Sequence, residues 1–181
     1  RALAAADVRA AAAVRPGEPL ARVDTGAVAD RVRALPGVAR VAVTRSWPGT
    51  LRVAVTERTG VAVLPRGGAT WLIDAGGVVF QRLAVRPSGV PRLSVAHAGP
   101  ADPATRAALS ALTALPPALA RQVLVVAAPT PDSVTLTLTG SRTVMWGGSE
   151  ESAAKARVLP AVLGRPGRHY DVSTPSVVTV R

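Results

Sequence analysis

The chain has 181 residues, enough for one large domain or two small ones, and its 48% hydrophobic content excludes a disordered polypeptide. Its formal net charge of +11 suggests nucleic-acid binding, but the arginines are scattered and only 3% of the residues are aromatic. A scattered charge without aromatic stacking platforms is typical of an ordinary basic surface, so we expect no nucleic-acid partner. The absence of cysteine excludes disulfides and thiol chemistry.

The first third of the chain predicts two helices followed by a hairpin. Ala2–Val14 is rich in alanine and predicts a helix, and a second helix, capped by Asp24 or Thr25, continues to about Leu35. The segments VARVAVTR and LRVAVTER then alternate apolar and polar residues, as strands do. Because a single two-stranded hairpin is a weak unit, we expect a third strand before Arg1 to complete a small α/β unit.

The turn of this hairpin must have an unusual length. A two-residue loop at Pro48 and Gly49 would place Val43 opposite Ala54, so that the two apolar faces would not coincide. An odd-length or bulged loop pairs Val43 with another valine instead, either Val55 or Val53. We therefore predict an odd-length or bulged turn.

The rest of the chain predicts a sheet with flanking helices. Helices are expected over Pro103–Leu115 and from Glu150, capped by Ser149, to Leu163, where Pro160 should kink or shorten the last turn. Besides a short strand at Arg92–Val95, the predicted strands are TWLID, VVFQRL, QVLVVA, SVTLTLT, RTVMWG, HYDVS and SVVTVR. The fold class is therefore α+β, with one domain over residues 1–63 and a second over residues 64–181.

No pattern in the sequence indicates catalysis. The two histidines, His97 and His169, lack the neighbouring ligands that a metal site needs. Neither a G-x-S-x-G elbow nor a phosphate-binding loop of the G-x-x-x-x-G-K type is present. We expect no enzyme activity, no cofactor and no metal site.

The last apolar run, Ser176–Arg181, is the remaining candidate for function. At the edge of a sheet its unpaired backbone groups could bind a strand of another chain. An internal strand or a protected edge explains the same residues at least as well, so the residues alone leave both open.

Residues 24–64 resemble the POTRA domain of the FtsQ/DivIB cell-division proteins. The pattern R-x-W-P-x-T-L followed by E-R carries the resemblance, and its residues are Arg45, Trp47, Pro48, Thr50, Leu51, Glu57 and Arg58. WLIDAGGVVFQR is similar to the start of the family's β domain, and YDVSTPSVVTVR is similar to its terminal strands. The resemblance covers essentially the whole chain.

This resemblance implies a POTRA unit, lacking its first strand here, followed by a mixed or antiparallel β-sheet domain with flanking helices. It implies a non-enzymatic, single-pass divisome scaffold that lies outside the cytoplasmic membrane, is enriched at the septum and helps to regulate septal wall synthesis. The implied partners are FtsB/DivIC-type and FtsL-type proteins. No apolar run here is long enough to span a membrane, so we expect the anchor upstream of Arg1.

The resemblance also implies where partners bind. The family's last strands receive a strand from the FtsB-type partner, and the corresponding residues here are Tyr170, Val172, Ser176, Val177, Val178, Thr179, Val180 and Arg181. In the POTRA motif, Arg45, Trp47 and Pro48 either pack the end of the hairpin, with Arg45 beside the indole, or contact a partner. Two alternative functions are a POTRA module of a membrane-protein assembly or secretion system, and a basic binder of anionic wall polymers.

Overall fold

The computed structural model describes residues 3–181, and the chain divides into two compact units, with the boundary between Arg58 and Thr59. The expected boundary after residue 63 falls inside a continuous strand, Gly60–Arg66. That strand pairs only with strands of the second unit in the described part of the chain, which places the division before it.

The first unit contains two helices and one hairpin. Its elements in chain order are α1 (Ala5–Ala12), a short 3-10 helix (Leu20–Arg22), α2 (Thr25–Arg33), β1 (Val38–Ser46) and β2 (Thr50–Glu57). Helix α1 is shorter than predicted because Ala13 adopts a left-handed conformation, with φ of 50°. Helix α2 begins as predicted, since the Asp24 carboxylate accepts hydrogen bonds from the backbone N–H groups of Gly26 and Ala27. The predicted third strand lies outside the described residues.

The hairpin confirms the predicted odd-length turn. The loop between β1 and β2 comprises Trp47, Pro48 and Gly49, and Val43 lies opposite Val53. The apolar residues of both strands therefore share one face, which packs against a core that includes Val28, Val32 and Val38. Alternation along each strand thus gives the first unit its core.

The second unit is a single nine-stranded sheet with helices. Its strands are β3 (Gly60–Arg66), β4 (Ala69–Asp74), β5 (Val79–Leu83), β6 (Arg92–Ser94), β7 (Val123–Ala127), β8 (Val134–Leu138), β9 (Arg142–Gly147), β10 (His169–Asp171) and β11 (Thr179–Val180). Its helices are α3 (Pro103–Ala114), α4 (Pro117–Ala120) and α5 (Ser152–Leu163).

The sheet is mixed, as expected. Its strand order is β11-β10-β9-β8-β7-β6-β3-β4-β5, with parallel pairing at β3–β6, β6–β7 and β9–β10 and antiparallel pairing elsewhere. Leucines of α3 and α5 share one buried cluster with Leu136, Val144 and Trp146 of the sheet. One sheet face is therefore the core of the unit.

Helix α5 differs from its prediction at its beginning. It starts at Ser152, and the residue before it, Glu151, has a left-handed backbone and makes no side-chain cap. Ser149 is not the cap, although its carbonyl accepts a 2.7 Å hydrogen bond from the Ser152 hydroxyl. Pro160 does not shorten the helix, which continues to Leu163.

Candidate functional site

Strand β11 lies at one edge of the nine-stranded sheet. It is antiparallel to β10, with Tyr170 opposite Val180 and Asp171 opposite Thr179. In the described part of the chain, no strand pairs with its other side. Among the described residues, the structure therefore excludes an internal position for the last strand and places it at an edge of the sheet.

The hydrogen bonds of this pair identify the backbone groups that face outward. His169 and Arg181 exchange both of their bonds, at 2.8 and 2.9 Å, and therefore form a hydrogen-bonded pair. In an antiparallel ladder such pairs alternate with non-hydrogen-bonded pairs, so Val180 points its N–H and C=O groups away from β10. Val180 thus presents one donor and one acceptor to any strand that approaches the edge.

The terminal strand is shorter than predicted. Only Thr179 and Val180 are in the strand, whereas Ser176 and Val177 belong to a turn in which the Val177 N–H group donates to the Thr174 carbonyl at 2.9 Å. The turn is favoured by Pro175, which has no backbone N–H group to contribute to a ladder. The expectation of a strand over the whole of Ser176–Arg181 is therefore wrong for its first half.

Two of the predicted contact residues are core residues. Tyr170 and Val172 are buried, with only 3% and 0% of their surface exposed. The Tyr170 hydroxyl donates to the carbonyls of Arg165, at 3.1 Å, and Gly167, at 2.7 Å. These side chains hold β10 in the fold and are not accessible to a partner in this conformation.

The other predicted contact residues surround the open edge. Val178 and Val180 are half-buried against the core, whereas the exposed residues are Ser176, Val177, Thr179 and Arg181. Val177 is 68% exposed, so it is the large apolar side chain that the terminal segment offers to a partner. Thr179 and Arg181 also line a shallow cavity of about 260 Å³ on the face of β9, β10 and β11.

The POTRA motif divides into a structural part and an exposed part. Arg45 donates to the carbonyls of Leu20, at 3.1 Å, and Val23, at 2.6 Å, and so ties the hairpin to the 3-10 helix. Trp47 is 68% exposed and Pro48 is also exposed, so of the two alternatives left open by the sequence, packing of the hairpin end is the less favoured for these two residues. The alternation along β1 already indicated that Arg45 shares the face of Val43, although Arg45 itself is exposed.

Two other features are absent from the residues that the structure describes. Over residues 3–181, no three histidine or acidic side chains come together in a way that could hold a metal ion. Over the same residues, no helix has the length and apolar character needed to cross a membrane. The open edge of β11 is the candidate site because of its position at the end of the strand order.

Comparison with known proteins assigns both units. Residues 1–58 match the POTRA domain, FtsQ-type, and residues 62–178 match the C-terminal domain of cell division protein FtsQ/DivIB. The chain is similar to "Cell division protein FtsQ" of Mycobacteroides abscessus, with 46% identity covering 97% of this chain and 56% of the relative. The proteins of the same name from Mycobacterium tuberculosis strain H37Rv and Streptomyces venezuelae are 43% and 42% identical, covering 97% and 94% of this chain and 55% and 66% of theirs.

The match extends over nearly all of this chain, which spans about half the length of the first of these relatives. Both family matches fall on the two compact units of the structure, on either side of the division at Arg58 and Thr59. The chain therefore belongs to the FtsQ/DivIB family of cell division proteins.

Proposed function

We propose that this chain is the extracytoplasmic part of a single-pass divisome protein that binds FtsB/DivIC-type and FtsL-type partners and helps to regulate septal wall synthesis. Its family membership supports a role in division without catalysis. The chain spans only part of the length of its relatives. We therefore propose, for the whole protein, a membrane anchor, a septal location and these partners.

The open edge of β11 is the observation that supports partner binding. A strand added there would be bound by the outward N–H and C=O groups of Val180, and its neighbours would be the exposed Val177 and Thr179. The opposite edge of the sheet, β5, is less suited, because a register irregularity disrupts its pairing with β4 near Ile73. The β10–β11 pair has no such irregularity between its paired residues.

A peptide titration tests this function. Fluorescently labelled peptides that tile the extracytoplasmic region of the FtsB/DivIC-type protein from the same genome are titrated into the 181-residue chain. We expect one peptide to bind saturably, with its scrambled version as the control. If no peptide binds at any concentration that keeps the chain monodisperse, FtsB-type strand addition is refuted.

The hairpin tip of the first unit is a second proposed contact. Trp47 is 68% exposed, and the Arg45 hydrogen bonds hold the strand beneath it in place. An exposed aromatic side chain on a fixed backbone binds a partner at low entropic cost. Unlike Arg45, Trp47 is therefore proposed to act outside the unit.

A further inference from the structure

The corner at the end of β9, defined as Gly147 and Gly148, is in direct contact with the segment that leads into β11. Gly147 ends β9 with a φ of +76°, and a Cβ atom there would lie 2.8 Å from Ser173 Cβ and 3.3 Å from Ser173 Cα. Carbon atoms normally pack about 3.5–4.0 Å apart, so any side chain at this position must displace Ser173. Because Gly147 has no side chain, Ser173 can occupy the space beside it, and the terminal connection, defined as residues 173–178, can adopt its observed path.

Ser173 is itself hydrogen-bonded to β10. Its backbone N–H and its hydroxyl both donate to Asp171 Oδ1, at 2.9 and 2.7 Å. A displacement of Ser173 would consequently act on the residue that pairs with Thr179 of β11. The corner is coupled to the open edge through this short path.

Lys155 holds the corner from the other side. It is the only lysine of the chain, it is 2% exposed, and its Nζ donates to the Gly148 carbonyl at 3.0 Å. An ammonium group is buried only at a considerable cost in solvation, so its position indicates a specific contact. This contact connects helix α5 to the corner.

We propose that Gly147 and Lys155 are positioning residues for partner binding, because the corner they form sets the terminal connection and, through it, the β11 edge. This inference rests on the proposed strand addition at β11. Neither residue touches the partner; both act through Ser173 and the residues that follow it.

Two glycines provide a matched test. Gly140 has nearly the same conformation, with φ of +73°, but a Cβ atom there would meet only Arg142 Nε, at 3.9 Å. Gly140→Ala and Gly147→Ala thus carry the same cost of a left-handed alanine, and only the second displaces Ser173. We expect Gly147→Ala to weaken binding of the FtsB-type peptide at least tenfold relative to Gly140→Ala, which stays within threefold of the unmodified chain.

Rescue separates positioning from general destabilisation. Adding Ser173→Gly to Gly147→Ala removes the 2.8 Å contact with Cβ and leaves only the milder 3.3 Å contact with Cα, so we expect it to restore the peptide affinity to within threefold of Ser173→Gly alone. Lys155→Met keeps the aliphatic stem but not the donor, and is expected to weaken peptide binding as well. Equal affinities of Gly147→Ala and Gly140→Ala, or failure of the rescue, would overturn the role of Gly147; an unchanged affinity of Lys155→Met would overturn that of Lys155.

Amide hydrogen exchange gives a readout that does not need the peptide. The Arg181 N–H group is bonded to the His169 carbonyl, so its exchange reports how well the edge is held. We expect faster exchange of this amide in Gly147→Ala and unchanged exchange in Gly140→Ala. If the unmodified chain binds no peptide but the exchange differs as expected, strand addition fails while the coupling stands; unchanged exchange in both variants contradicts the coupling.

Discussion

Replacing Val180 by proline removes the donor that the proposed partner strand would use. The Val180 N–H group points away from β10, so its loss leaves the bonds between β10 and β11 intact, and proline is tolerated at such edge positions. In the complex, the substitution removes one hydrogen bond and leaves a partner carbonyl unsatisfied. Together these cost about 1.5–3 kcal/mol, which is a 10- to 150-fold loss of affinity.

The matched control for this substitution is Val180→Ala. It keeps the N–H group but loses the half-buried side chain, which packs against the core of the second unit. The dissociation constants of the FtsB-type peptide for both variants are measured by fluorescence anisotropy, with circular dichroism to verify folding. We expect Val180→Ala to bind within about threefold of the unmodified chain. If Val180→Pro binds as tightly as Val180→Ala, the partner does not pair with this edge.

Three other predictions concern the rest of the molecule. Arg45→Met removes two hydrogen bonds from a charged donor and should lower the free energy of unfolding of the first unit by about 1–2 kcal/mol. Trp47→Ala, which changes an exposed side chain, should lower it by less than about 1 kcal/mol. Urea unfolding followed by circular dichroism compares the two variants, and the reverse order would contradict the structural role of Arg45. Hydrogen bonds from the Thr105 hydroxyl and backbone N–H, assisted by His97, lower the pKa of Asp102, so Asp102→Ala should destabilise the second unit by about 1 kcal/mol at pH 7. This difference in the free energy of unfolding should shrink as the pH falls below about 4, because the carboxyl then titrates through its depressed pKa. A difference that persists at pH 2 would show that the carboxylate is not its cause. If the net charge of +11 acts only as a general basic surface, retention on anionic wall polymers at low salt should disappear by about 0.3 M salt, and retention that survives this salt would indicate a dedicated polymer site.

Local signals in the sequence predicted most elements of the fold. Asp24 marked the beginning of α2, and the alternation around Val43 required an odd-length loop, because a one-residue slip would have moved one apolar face into solvent. The same reasoning put too much of the last segment into a strand. The Val-rich composition of Ser176–Val178 favours a strand, but Pro175 and the hydrogen bonds that Ser173 donates to the Asp171 carboxylate bend the chain there.

The candidate site was less predictable than the elements around it. Whether β11 lies at an edge depends on the parallel pairing of β10 with β9, two strands that helix α5 separates in the chain. The last residues themselves carry no sequence pattern that indicates this pairing. The alternation of apolar residues likewise could not show that Trp47 is exposed, because a loop residue has no strand face. The contact of Gly147 with Ser173 joins residues far apart in sequence, so only the folded chain reveals it.

Amide exchange at Val180 is the most direct measurement of strand addition. In the free chain this N–H group faces outward from the sheet, so it should exchange rapidly with solvent. On saturation with the FtsB-type peptide, we predict that its exchange slows by at least tenfold, while the amides of β5 at the opposite edge remain unchanged. Unaltered exchange at Val180 in a chain that has demonstrably bound the peptide would contradict the account, wherever else the protection appears.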